Sequence, residues 1–103
     1  MTYLSVVIPA YNEEQNIKEG APNQVLSYLA KQNYSWEVIF VDDGSVDKTA
    51  NLLEKLVKKS ANVRLIKNPH QGKAATVTTG VLGAKGDVIL FTDMDQATPI
   101  SEV

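Results

Sequence analysis

Four short apolar runs constrain the fold of this chain most: Leu4 to Pro9, Glu37 to Val41, Val63 to Ile66 and Val88 to Phe91. They are rich in Val and Ile, and most are nearly continuous rather than alternating. Strands covered by helices on both faces read this way, whereas a strand with one wet face alternates. The segments between the runs are long enough for helical crossovers. The pattern predicts an α/β fold, a Rossmann-like parallel sheet with right-handed crossovers and helices on both faces. By analogy with doubly wound folds the strand order is 3-2-1-4.

The strongest helix signal is Lys48 to Lys59, with Leu52, Leu53, Leu56 and Val57 at helical spacing. Lys58 and Lys59 suit the negative end of its dipole, and Asp47 or Ser45 suits its cap. Lys55, Lys58 and Lys59 read as a solvated face. In the first crossover, Asn12 followed by Gln15 fits a capping box, with Glu13 and Glu14 in the first turn. Gly20-Ala21-Pro22 then predicts a break, after which Val25, Leu26 and Leu29 resume an apolar face. The third crossover runs from Gly72 to about Ala84, weakened by Thr76, Thr79, Gly80 and Gly83.

Composition narrows the function. With 103 residues the chain holds one small domain, short for an α/β enzyme. A net charge of −2 supplies no basic field for nucleic acid and no polybasic membrane patch. The absence of cysteine excludes disulfides and thiolate metal sites. No apolar run approaches the ~18 residues of a membrane span, and the start lacks the basic region of a signal peptide. The expected location is the cytoplasm or the cytoplasmic face of a membrane. Only eight residues, Gln96 to Val103, follow Asp95. The expectation is an N-terminal fragment of a larger domain, with the acceptor half to come from later sequence.

Two acidic pairs carry the chemistry. Asp93-Met94-Asp95 follows the fourth run, and two carboxylates one residue apart suit a hard divalent cation with positions left open for phosphate oxygens. Asp42-Asp43 follows the second run and leads into Gly44-Ser45. In open α/β sheets ligands bind beyond the carboxyl ends of the strands, so both pairs are expected at one crevice. Asp42 directly follows its strand and is the better ligand candidate for a base N–H or ribose hydroxyl. Asp43 and Ser45 also suit a polar turn. The first strand ends in Pro9-Ala10-Tyr11-Asn12-Glu13, where helix-start N–H groups can meet an anion and Tyr11 offers a ring face to a base. Pro9 also reads as plain punctuation of a strand–turn–helix junction. In Asn68-Pro69-His70-Gln71-Gly72-Lys73 the lysine is placed to pair with phosphate or simply to be solvated. The loop lacks Walker spacing. His70, a lone loop histidine, reads as solvated. Met94 reads as packing, and Trp36 as an edge or core residue.

Taken together these motifs resemble family 2 glycosyltransferases of the GT-A fold. The carriers are Ser5 to Glu14, Glu37 to Thr49, Gln71-Gly72-Lys73-Ala74-Ala75 and Asp93-Met94-Asp95, in the family's order and approximate spacing. The run Gly72 to Gly80 and the ending Asp95-Gln96-Ala97-Thr98 look like the N-terminal part of dolichyl- or polyprenyl-phosphate glycosyltransferases, especially the glucosyl type. The resemblance implies that residues 1–103 form the donor-binding half. It implies substrate contacts at Pro9, Ala10, Tyr11, Glu13, Asp42, Asp43, Gly72, Lys73, Asp93 and Met94. Asp42 would bind the base, and Asp93 and Asp95 would hold Mg²⁺ or Mn²⁺ bridging the diphosphate. The chain departs from the family at Ala74, often Gly, and at Thr78, often basic. Ala97 stands where mannosyl-type relatives carry a Gln that can help bind metal.

The implied activity is inverting, metal-dependent transfer of a hexose in glycan or cell-wall biosynthesis. The donor is a UDP- or GDP-linked sugar and the acceptor a polyprenyl or dolichyl phosphate, or a glycan. The catalytic base is expected beyond Val103, so the chain alone is expected to be inactive and to self-associate through its open sheet edge. The rival reading is a nucleotide-binding or assembly module without transfer. A nucleotidyltransferase is weaker, because Ala10 to Gln15 supplies no Gly-rich basic loop.

Overall fold

The computed structural model describes residues 2–94. Four strands and four helices follow in order: β1 (Leu4–Ala10), α1 (Glu14–Lys18), α2 (Ala21–Ala30), β2 (Trp36–Asp43), α3 (Thr49–Lys59), β3 (Val63–Asn68), α4 (Lys73–Gly83) and β4 (Val88–Phe91). The sheet order is β3-β2-β1-β4, and every pairing is parallel. This is the α/β architecture and the strand order that the apolar runs predict.

Alternation along the central strands divides the core. Val6, Ile8, Val38 and Phe40 pack with Val25 and Leu29 of α2 and Leu53 of α3 on one face. Val7, Ile39 and Val41 form the other face, beneath α4. Burying each such side chain contributes about 1.5–3 kcal/mol. Gly80 explains how α4 sits so close: a Cβ there would lie 2.3 Å from Val7 Cγ1. Coverage on both faces holds for β1 and β2 but not for β4, where Val88 and Phe91 are exposed. The run is continuous for a different reason there: β4 pairs on one side only among the described residues.

The first crossover breaks as expected. Gly20 takes φ 93°, a left-handed conformation that suits glycine, and Pro22 lies in the first turn of α2, where its missing N–H costs nothing. The capping box does not form. Asn12 has φ 51°, its side chain accepts the Val46 N–H at 2.9 Å, and Gln15 donates to Glu19 instead. A distant loop outcompetes the local partner.

A polar cluster closes the amino end of the sheet. Glu37 accepts from Ser5 Oγ at 2.6 Å, the Lys85 N–H at 2.7 Å, and Arg64 Nε and Nη2 at 3.1 and 2.8 Å. Ser5 Oγ accepts the Gly86 N–H, and Arg64 also reaches the Gly83 carbonyl. Three strands and the α4–β4 connection are thereby tied at one point.

Candidate functional site

The carboxyl ends of all four strands open on one cleft of about 220 Å³. Its lining comprises Pro9, Ala10, Tyr11 and Glu13 after β1, Asp43 at the end of β2, His70, Gly72, Lys73 and Thr76 after β3, and Asp93 after β4. A strand-end crevice is where an open α/β sheet receives ligands. The volume falls below the ~300–1,000 Å³ of sites that enclose a whole drug-sized ligand. It suits part of a nucleotide sugar.

The rim is cross-stitched. The Asn12 N–H donates to Ser45 Oγ at 2.9 Å, the Glu13 N–H to Thr49 Oγ1 at 2.8 Å and the Glu14 N–H to Asp47 Oδ2 at 3.4 Å. In return the Val46 N–H donates to Asn12 Oδ1 and the Lys48 N–H to Glu14 Oε1. Asp47 also accepts the N–H of Thr49, the first residue of α3, at 2.9 Å, but the cap position itself is held by Lys48 without a side-chain cap bond, and Ser45 is diverted to Asn12.

Asp43 clasps the β3–α4 loop. Its Oδ1 accepts the Gln71 N–H at 2.8 Å, and its Oδ2 accepts the Gly72 N–H at 3.0 Å. His70 Nδ1 lies 2.9 Å from the same carboxylate. Burial on its own would raise the Asp43 pKa. The two N–H donors, the Thr76 hydroxyl and His70 outweigh it and hold the carboxyl below its ordinary value. His70 is therefore engaged rather than merely solvated, and its ring stacks on Tyr11 with centroids 4.2 Å apart. Sequence reasoning missed this role, because its anchor, Asp43 at the end of β2, lies 27 residues away. Thr76 was also missed as a cleft residue; four positions after Gly72, it bonds back to the Gly72 carbonyl.

Gly44 makes the clasp possible. It has φ 72°, and a Cβ there would lie 2.5 Å from the His70 backbone nitrogen. Gly44→Ala should push the His70 loop away and destabilise the fold by about 1–3 kcal/mol. Urea unfolding measures the loss, and a lost upfield ring-current shift of the His70 protons reports the broken stack.

Asp42 differs from its neighbour. It is 4% exposed, its Oδ2 accepts the Ser45 N–H at 3.3 Å, and its Oδ1 is buried without a hydrogen-bond partner among the described residues. It pairs in register with Ala10, which lines the cleft, but Asp42 itself is not among the lining residues, where its neighbour Asp43 stands instead. A buried carboxylate oxygen with no donor is costly, which suits a site completed by a ligand.

Asp93 lies half-buried in the cleft wall, with Lys73 Nζ 2.6 Å from its Oδ1. Met94 turns the other way into the core, fully buried among Val6, Ile8 and Leu53. Asp95 lies outside the described residues. Among the described residues no three His, Cys, Asp or Glu side chains gather to hold a metal. Mg²⁺ needs only one or two carboxylates when substrate phosphates complete its shell. Asp93 fits that demand, since its hard oxygen already holds one cation, the lysine ammonium.

Comparison with known proteins agrees with this fold. A family model described as glycosyl transferase family 2 matches residues 5–101. A dolichyl-phosphate beta-glucosyltransferase of Trichomonas vaginalis is 36% identical over 106 residues, covering 97% of this chain and 32% of that protein. The chain thus spans about a third of the length of such relatives. S. aureus TarS in complex with UDP-GlcNAc superposes with a TM-score of 0.73 and 32% identity, over 91% of this chain and 27% of that one. The mannosyltransferase PcManGT from Pyrobaculum calidifontis, in complex with GDP-Man and Mn²⁺, gives 0.72 and 28%, over 89% and 27%.

Proposed function

Since the chain belongs to glycosyl transferase family 2, we propose that residues 1–103 bind the nucleoside diphosphate part of a sugar donor, within an enzyme that passes a hexose to a polyprenyl or dolichyl phosphate. The observation that carries this reading is the buried Asp42 Oδ1, which has no hydrogen-bond partner among the described residues. A carboxylate oxygen needs a donor, and uracil and guanine each present a ring N–H where cytosine and adenine present an acceptor. The buried oxygen therefore favours UDP or GDP. Tyr11 would offer its ring to the base, and Gly72 and Lys73 would meet the phosphates, since all three line the cleft. Asp93, with Asp95, would hold Mg²⁺ or Mn²⁺. When bound, that ion supplies Lewis-acid neutralisation of the departing diphosphate. The acceptor phosphate is already ionised, so direct attack with inversion needs little help from a base.

Support comes from the names of the relatives: a dolichyl-phosphate glucosyltransferase in sequence, and UDP-GlcNAc, GDP-Man and Mn²⁺ in the similar structures. No helix among the described residues is long and apolar enough to cross a membrane. A lipid-phosphate acceptor would place the reaction at a membrane surface, on its cytoplasmic face. Self-association would use the outer edge of β4, where Val88 and Phe91 are exposed. The share of the relatives' length spanned here favours one second reading for these 103 residues, nucleotide binding without transfer.

Calorimetry with Mn²⁺ present tests the proposal. UDP or GDP should bind at least about tenfold more tightly than CDP and ADP, and Asp42→Asn should weaken that binding by about tenfold or more, the worth of a hydrogen bond to a charged group. Equal affinity for all four nucleotides, unaffected by Asp42→Asn, would overturn the reading. Donor hydrolysis or sugar transfer by the chain would reject the second reading.

A further inference from the structure

Lys73 is the first residue of α4, a place that its own helix makes unfavourable for a cation. The N-terminus of a helix carries roughly half a positive charge, and α4 has no acidic residue in its first turn to offset it. Compensation comes from across the cleft, where Asp93 Oδ1 lies 2.6 Å from the ammonium. Both side chains line the cleft and stay accessible, 66% exposed for Lys73 and 38% for Asp93. Of the other cleft carboxylates, Asp43 is already filled by the Gln71 and Gly72 N–H groups and by His70, and Glu13 accepts from Asn16.

We propose that Lys73 is a resident counterion that holds Asp93 in the free protein and exchanges partners on ligand binding. Asp93 passes to the divalent cation, and the ammonium passes to the nucleoside diphosphate. The proposal rests on the reading of the cleft given under the preceding heading. Its physical basis is that one carboxylate oxygen does not hold two cations at contact distance without strong repulsion. A divalent cation arriving alone must displace the ammonium, which is then left unpaired beside a positive helix end. A diphosphate supplies the missing negative charge at that spot. The four-carbon stem of lysine permits the move without shifting α4. Metal and nucleotide thus favour each other through one side chain, and the coupling is reciprocal.

The sign pattern in Lys73→Met, which keeps the stem and loses the charge, tests the exchange. Without nucleotide, Mn²⁺ titrated by electron paramagnetic resonance should bind about two- to fivefold more tightly than to the unaltered chain, as expected for removal of an exposed ion pair that competes. At saturating Mn²⁺, UDP measured by calorimetry should bind more weakly, by about threefold or more, through loss of a charge-assisted contact. Lys73→Arg should leave both affinities near those of the unaltered chain. Local loosening would weaken both affinities together, so opposite signs separate exchange from a structural role, with circular dichroism confirming the fold. Unchanged Mn²⁺ affinity in Lys73→Met, or loss of both affinities, overturns the exchange alone. UDP binding to the unaltered chain that ignores Mn²⁺ overturns the metal role of Asp93 and the exchange with it.

Discussion

Glu37→Ala is expected to destabilise the protein by about 3 kcal/mol, the lower end of the range for removing one partner of a buried ion pair. The lower end applies because the Arg64 side chain is 35% exposed and can be partly rehydrated. The Ser5 hydroxyl and the Lys85 N–H lose their acceptor at once, and the guanidinium keeps only the Gly83 carbonyl. Glu37→Gln should cost less, because one amide oxygen still accepts. Urea denaturation provides the measurement, as a lower midpoint at unchanged slope. The same group predicts a pH dependence. Burial would raise the Glu37 pKa, but Ser5, the Lys85 N–H and Arg64 prevail and hold it below its ordinary value of 4.5. A carboxyl with a depressed folded pKa contributes fully above its unfolded value, and that contribution is lost as pH falls through the folded one. Stability should therefore decline below about pH 4.5, and the decline should be shallower in Glu37→Gln.

Phe40→Ala should be more damaging, at about 3–5 kcal/mol from a total that is typically 5–15 for a domain. Phe40 is fully buried in the middle of β2, between β1 and β3, and packs in the cluster shared with α2 and α3. A cavity there has flanking strands that do not readily collapse into it. The melting temperature should fall by roughly 12–40 °C. Leu82→Ala, at a position 82% exposed, should change stability by no more than about 0.5 kcal/mol. A Phe40→Ala variant as stable as Leu82→Ala would mean that Phe40 does not pack between the sheet and its helices.

The sheet was legible because its two central strands are buried on both faces, and burial leaves unbroken runs of Val and Ile in the sequence. Gly20 and Pro22 announced their break for local reasons, which sequence reports well. Asn12 shows the limit. Its capping signal was sound locally, but Val46 lies 34 residues away and offered the better partner. The acidic pairs were legible as strand-end residues, yet Asp42 and Asp43 are neighbours with different surroundings. One keeps an oxygen without a partner among the described residues, and the other is filled by a loop from after β3. No spacing rule encodes that difference, since it arises only when two loops meet. His70 was illegible for the same reason. Met94 sits between two carboxylates in sequence, and the packing reading describes its place better than a substrate contact does.

The stitching of the Asn12–Glu14 turn to the Ser45–Thr49 turn bears on how a ligand would meet this cleft. Loops at a binding site usually arrive disordered and are frozen by what they bind, and that loss of freedom is subtracted from affinity. Here backbone amides on both turns are already held by partners from the opposite turn. The rim is rigid before any ligand arrives, and its conformational entropy has been surrendered during folding. Encounter then requires orientation but little remodelling on this side, so discrimination between nucleotides falls to dissociation rates more than to capture rates.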